Sequence, residues 1–364
     1  MLSNTKKTAF CTEISSILVN FASILFYTYV NLSLVTNMKN RIYAMLFAGL
    51  TTLGFCMCSA GNNQPKAEAE APRKEPTFNA DSAYAYIAGQ IAFGPRVPGT
   101  QAQKDAAVWL ENELTRHGAQ VTIQNAEATA YDGTRLPIIN IVGSFNPEAK
   151  KRVLLMSHWD CRPLSDNDPD KSKYHTPVDG ANDGASGVGV LLEIARQAGM
   201  LNPKLGIDIF LTDAEDYGAP DEFKGEHKES WWALGTQAWC RNPHVKGYRA
   251  SYGILLDMVG AKGATFYREY FSCRYADDIV NRVWGTAAKL GLGKFFINAE
   301  GAGITDDHVF VNKMTGIPTI DIIDTRVNGD GTFYPYWHTS GDTLDKIDKE
   351  TLQAVGTLLM NLIY

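Results

Sequence analysis

Cysteine is scarce and poorly placed for a disulfide framework. The 364-residue chain holds six, and beyond residue 58 only Cys161, Cys240 and Cys273 remain. Three thiols cannot all pair, so at most one disulfide forms and the core must supply the stability. Basic patches are missing too. The net charge is −6 with 20% charged residues, an ordinary balance for a soluble enzyme that argues against a nucleic-acid partner. No segment repeats with a period of roughly 20–50 residues, which sets repeat architectures aside. What is abundant is apolar residues, 45% of the chain, enough to bury a large core as one big domain or two small ones.

The first 76 residues divide by composition. Residues 14–35 are a long apolar run, and a second Met, Met38, opens MKNRIYAMLFAGLTTLGFCMCSAGNNQ. Lys39 and Arg41, an apolar stretch of signal length, and then Cys56 and Cys58 among small residues follow the pattern of an export signal. A signal that ends at cysteine resembles the lipoprotein type, so lipidation at Cys56 or Cys58 is the expectation and plain cleavage the rival. The doubled signal makes Met38 the expected translation start and residues 1–37 an upstream extension, with Met1 the alternative. Residues 59–76 read as a flexible tether, and the catalytic domain is expected over 77–364.

Within that domain, helices are expected at 80–93, 101–117 (closed by Gly118), 184–199, near 231–241, 276–291 and 343–362. Strands are expected at 119–126, 137–144, 152–158, 206–213, 252–260, 295–298 and 316–323. Apolar strands alternating with helices predict a three-layer α/β sandwich around a mostly parallel, mixed sheet buried on both faces.

The polar residues with chemical potential fall at strand C-terminal ends, where open α/β sheets bind ligands. His158 and Asp160 form an H-x-D pair whose alternation puts both side chains on one side, so Asp160 can orient the imidazole. Asp183 lies in GANDGASG, Glu215 and Asp216 follow the strand 206–213, Asp257 ends the next strand, and His338 lies in YPYWHTSGDT. Singly, each has a plain explanation: a helix cap, a turn residue, a solvated loop pair. Together, carboxylates and imidazoles at successive strand ends suit Zn²⁺ with an open position for substrate.

The order H-x-D, N-D-G-A-S-G, D-x-E-D, L-D-M-V-G, W-H-T resembles the zinc aminopeptidase-like (M28) family across essentially all of 77–364. The resemblance implies that fold. It implies Asp183, Asp216 and His338 as ligands of one zinc per chain, and Glu215 as general acid/base. It matches His158 and Asp257 to the second-zinc ligands of two-metal members. Three features resemble the glutaminyl-peptide cyclotransferase branch: Trp337 before His338, Thr305-Asp306-Asp307-His308, and S-H-W-D-C-R-P from Ser157. They imply Trp337 and Thr305 in the substrate pocket, and Asp306 in a carboxylate network with Glu215 and Asp257. Of Trp231 and Trp232, Trp231 is the expected second pocket tryptophan. There are departures from the animal type: Ser157 stands where a bridging cysteine would be, D-G-E-E is here Asp213-Ala214-Glu215-Asp216, and Arg162 replaces a lysine. They fit a bacterial branch.

The activity implied is cyclisation of N-terminal glutamine in peptides or proteins, with loss of ammonia. A two-zinc aminopeptidase is the rival enzyme, and an inactive binding ectodomain of the same fold is a third reading. The expected location is the periplasm, or a membrane reached only through the lipid anchor.

Overall fold

The structure is a computed structural model, and it describes residues 77–325 and 332–364. The expected extension, signal and tether, with Cys56 and Cys58, lie outside the described residues. No described helix is long and apolar enough to cross a membrane.

The chain enters through α1 (Ala80–Ile91) and α2 (Gln101–Arg116). Asn79 and Thr100 cap them, each side chain accepting a backbone N–H from the first turn. α2 closes as anticipated: Gly118 takes φ +88°, and the N–H groups of Gly118 and Ala119 donate to Thr115 and Leu114. Then follow β1 (Gln120–Thr129), β2 (Arg135–Phe145), β3 (Arg152–His158), α3 (Ala185–Leu201), β4 (Gly206–Thr212), α4 (Leu234–Arg241) and β5 (Tyr252–Asp257). The rest is β6 (Phe266–Arg268), α5 (Tyr270–Lys289), β7 (Phe296–Glu300), α6 (Asp307–Thr315), β8 (Thr319–Ile323) and α7 (Lys349–Ile363).

Six strands form one sheet in the order β1-β2-β4-β3-β5-β8. β1, β2 and β4 pair antiparallel, while β4, β3, β5 and β8 run parallel. β6 and β7 make a separate parallel pair. Alternation along β3 shows why the parallel strands read as unbroken apolar runs. Val153 and Leu155 pack in a cluster with α1, α2, α3, α5 and α7, and Leu154 and Met156 face the other way into a cluster with Trp239 of α4 and Val311 of α6. Both faces are dry, so every second residue serves a different layer. Truncating Leu155, which has no exposure, to Ala costs about 2–5 kcal/mol.

Several boundaries differ from expectation for local reasons. The strand expected over 252–260 stops at Asp257, because Met258 turns to φ +48°. α5 starts at Tyr270 because the Glu269 side chain caps it, and the chain kinks at Ala276. The last helix begins at Lys349 rather than 343, after a separate 3₁₀ turn at Leu344–Lys346. β6 and α6 were not anticipated.

Candidate active site

The parallel register brings the chemistry to one edge. His158 is the last residue of β3 and pairs with Thr212, the last of β4; Asp257 ends β5 opposite Ile323 of β8. Asp183 arrives from the loop before α3. Gly184 beside it has φ +93°, and a Cβ there would sit 2.6 Å from the Asp160 carbonyl oxygen and 3.1 Å from the His158 ring. Glycine is therefore required for Asp183 to reach the cluster. Ala214, Met258 and His338 also take positive φ, at +52°, +48° and +54°. Each stands next to a site residue or is one, a strain of about 1–3 kcal/mol apiece that the surrounding bonds hold in place.

Asp183 stands between two histidines. His158 Nε2 lies 3.1 Å from Asp183 Oδ1 and 3.2 Å from Asp257 Oδ1. His338 Nε2 lies 3.0 Å from Asp216 Oδ1 and 3.7 Å from Asp183 Oδ2. Two trios that share Asp183 could thus hold a metal: Asp183, Asp216 and His338, or His158, Asp183 and Asp257. Asp183 Oδ2 and Asp216 Oδ2 are buried without a hydrogen-bond partner among the described residues, as ligand atoms awaiting a cation would be. Asp160 lies on the expected side of His158 but 3.5 Å from Nδ1. Its oxygens instead accept the backbone N–H groups of Glu215 and Asp216, both at 3.1 Å, so it fixes the loop that carries them.

Behind His338 stand Asp166, which no motif contains, and Arg162, which the S-H-W-D-C-R-P segment carries in place of a lysine. Asp166 lies 3.4 Å from His338 Nδ1, a carboxylate backing an imidazole. Arg162, fully buried, clamps Asp166 and donates to the carbonyls of Asp216 and Gly218.

A cavity of about 280 Å³ opens onto the trio, lined by Glu215, Asp257, Thr305, Asp306, Trp232, Trp337 and Phe333 among others. Trp337 stacks on His338 with centroids 3.8 Å apart, and Trp232 lies nearly parallel to the same imidazole at 6.5 Å. The expectation for Trp231 is corrected: Trp232 lines the cavity, and Trp231 packs away from it against Tyr131 and Phe223, with Lys228 over its ring. The reason is local. The 3₁₀ turn Glu229–Trp231 ends there and Trp232 goes extended. Its indole then fills the space left by Gly218, where a Cβ would come within 2.1 Å of the ring, and the Arg162 guanidinium sits 5.1 Å from the ring centroid.

Burial and the Asp306 charge push Glu215 well above the usual carboxylate range. Burial and the Asp257 charge raise Asp306 to about 7; burial raises Asp257 against the pull of His158. Burial opposes a charged His338, yet the Asp216 charge lifts it to about 9. Negative charge is crowded here beyond what the local side chains neutralise, which favours a cation.

Residues 140–363 match Peptidase family M28, well over half of the chain. The chain belongs to peptidase family M28. Among solved structures, the Bacteroides thetaiotaomicron glutaminyl cyclase bound to N-acetylhistamine is 52% identical, with TM-score 0.78, covering 80% of this chain and 99% of that one. A Zn-dependent exopeptidase from Parabacteroides distasonis is 57% identical, with TM-score 0.78 and the same coverage. The glutaminyl-peptide cyclotransferase of Gloydius blomhoffii is 24% identical over 257 residues, 60% of this chain. The match spans 63% of that relative's length.

Proposed function

We propose that this M28 chain is a zinc-dependent glutaminyl cyclase that converts N-terminal glutaminyl residues of peptides and proteins to pyroglutamate and releases ammonia. The observation that carries the reading is the meeting of three raised carboxyls, Glu215, Asp257 and Asp306, with an aromatic pocket beside a three-ligand site.

The residues fit the metal. Asp183, Asp216 and His338 would hold one Zn²⁺ per chain, and Oδ2 of each aspartate is buried without a hydrogen-bond partner among the described residues. A zinc ion held by these residues would supply Lewis-acid polarisation of the substrate γ-carbonyl. The other steps belong to the protein. Trp232, Trp337 and Phe333 hold the glutamine side chain curled, which provides the alignment an internal attack needs. Glu215 accepts a proton from the α-ammonium; the freed amine bonds to the γ-carbon and gives up a second proton to solvent as it becomes the ring amide nitrogen; the γ-amide C–N bond breaks, and Glu215 returns its proton to the leaving nitrogen, which departs as ammonia. Asp306 and Asp257, too close in charge for both to ionise easily, share a proton and hydrogen-bond to that nitrogen. The sharing occupies Asp257 and so weakens a second metal site at His158, Asp183 and Asp257.

A second reading, the two-zinc aminopeptidase, is favoured by that same trio, whose ligand atoms lie within 4.8 Å of one another. Asp306→Asn separates the two. The cyclase reading expects full zinc and a maximal rate lowered about 10²–10⁴-fold, as does Glu215→Gln. A zinc-loaded, fully active Asp306→Asn variant would return the site to the hydrolases.

The reading extends to export, supported by the signal pattern from Met38 and by Cys56 and Cys58. Changing both cysteines to Ser is expected to free the protein from membranes or trap its precursor; unchanged fractionation and mass would exclude the lipid anchor.

A further inference from the structure

Glu269 belongs to none of the motifs, yet it is 2% exposed and its carboxylate serves five donors. Oε1 accepts the N–H of Phe271 at 2.8 Å and of Ile304 at 3.0 Å. Oε2 accepts the N–H and hydroxyl of Ser272 at 2.5 and 2.6 Å, and lies 3.1 Å from His308 Nε2. Capping α5 needs only the Phe271 and Ser272 groups. The remaining two, Ile304 and His308, stand two residues before and two residues after Asp306, on the pocket wall and on the first turn of α6.

The same hub reaches the floor of the wall. Ser272 Oγ accepts the N–H of Asp321 in β8 at 2.9 Å, and Asp321 Oδ2 lies 3.8 Å from His308 Nδ1. Asp321 is fully buried and raised by burial and by the Asp306 charge. Asp306 Oδ2 and both Asp321 oxygens lack hydrogen-bond partners among the described residues. Asp306 is thus flanked on both sides by residues that Glu269 holds, and its Oδ1 accepts the N–H of Asp307 at the start of α6.

We propose that Glu269 is a positioning residue for the reaction: through Ile304 and His308 it fixes where the Asp306 carboxyl stands in the pocket. The proposal rests on the cyclase reading, in which Asp306 acts on the leaving nitrogen. Glu269 touches neither substrate nor metal, and acts through the two residues flanking Asp306. A buried carboxylate holding an imidazole also occurs behind metal-ligating histidines, and Asp306, His308 and Asp321 could together hold a cation, so the test must count metal.

The experiment uses the full chain and the variants Glu269→Gln, His308→Gln and Asp306→Asn, with Glu269→Gln also combined with Asp306→Asn. Zinc content, Tm, KM and kcat are measured on whichever peptide the wild type turns over, Gln-peptide or Leu-peptide. A wild type that hydrolyses the Leu-peptide defeats the cyclase reading; the Glu269 proposal is judged on the variants. Expected are unchanged zinc, KM within about threefold, and kcat lowered about tenfold or more for Glu269→Gln, with no further loss when it is added to Asp306→Asn. If Glu269→Gln does not fold, His308→Gln, which disturbs one of the five donors, is read in the same way. Wild-type kcat with only a lower Tm would make Glu269 a helix cap and overturn the proposal. So would losses that multiply in the double variant, or a metal equivalent missing from His308→Gln.

Discussion

The buried carboxylate of Asp342 accepts the backbone N–H of Asp183 at 3.0 Å. It also accepts the N–H of Asn182 and the hydroxyl of Tyr334, joining the loop of a proposed metal ligand to the aromatic segment that lines the pocket. Asn182 in turn accepts the N–H of Gly260 at 2.8 Å, so the Asp183 loop is fastened from two sides. Ligand side chains held through such contacts lose metal readily when the contact is removed. Asp342→Asn replaces an acceptor oxygen with a donor facing donors, and zinc affinity is expected to fall about 10–100-fold. Chelator competition measures it, and wild-type zinc retention would show that Asp342 serves only the fold.

Trp232, not Trp231, touches the substrate in this account. Trp232→Ala is expected to lower kcat/KM at least about tenfold, the equivalent of about 1.4 kcal/mol of aromatic contact, while Trp231→Ala stays within about threefold. Gly218→Ala, whose Cβ would collide with the Trp232 ring, should mimic Trp232→Ala. Steady-state kinetics of the three variants decide it; equal losses at both tryptophans would void the assignment.

That mistaken tryptophan shows where reading the sequence stops. RVLLMSH and GIDIFLTD were legible because a strand buried on both faces has to be apolar along its length and turns chemical only where it leaves the sheet. His158, Glu215, Asp216 and Asp257 followed from those ends. Which of two adjacent tryptophans faces inward depends on where a 3₁₀ turn ends and on a glycine 14 residues away in sequence, and no periodicity records either. Asp166 and Asp342 act through loops, each legible only once its partner histidine or backbone is in place. Glu269 lies in no motif and seven residues before the expected helix start, and the burial of a cap depends on the elements that pack over it.

The pH dependence of stability follows from Asp306. Its folded value is about 7 against an ordinary 3.8, by burial and the Asp257 charge. The unfolded chain gives up that proton near the ordinary value while the folded protein keeps it to about 7. The contribution of this group is therefore whole below the ordinary value and is lost as pH rises through about 7. Zinc-free protein should melt at lower temperature at about pH 8 than at about pH 5, and Asp306→Asn should flatten part of that fall. A variant with the wild-type slope would mean that Asp306 titrates as an ordinary surface acid.

The central claim is tested most directly by the products. Purified protein, loaded with zinc, is incubated with a Gln-peptide and with a Leu-peptide, and ammonia and free amino acid are measured together. The account predicts ammonia released from the Gln-peptide in step with a pyroglutamyl product, and no leucine from the other. Leucine release without ammonia would contradict it.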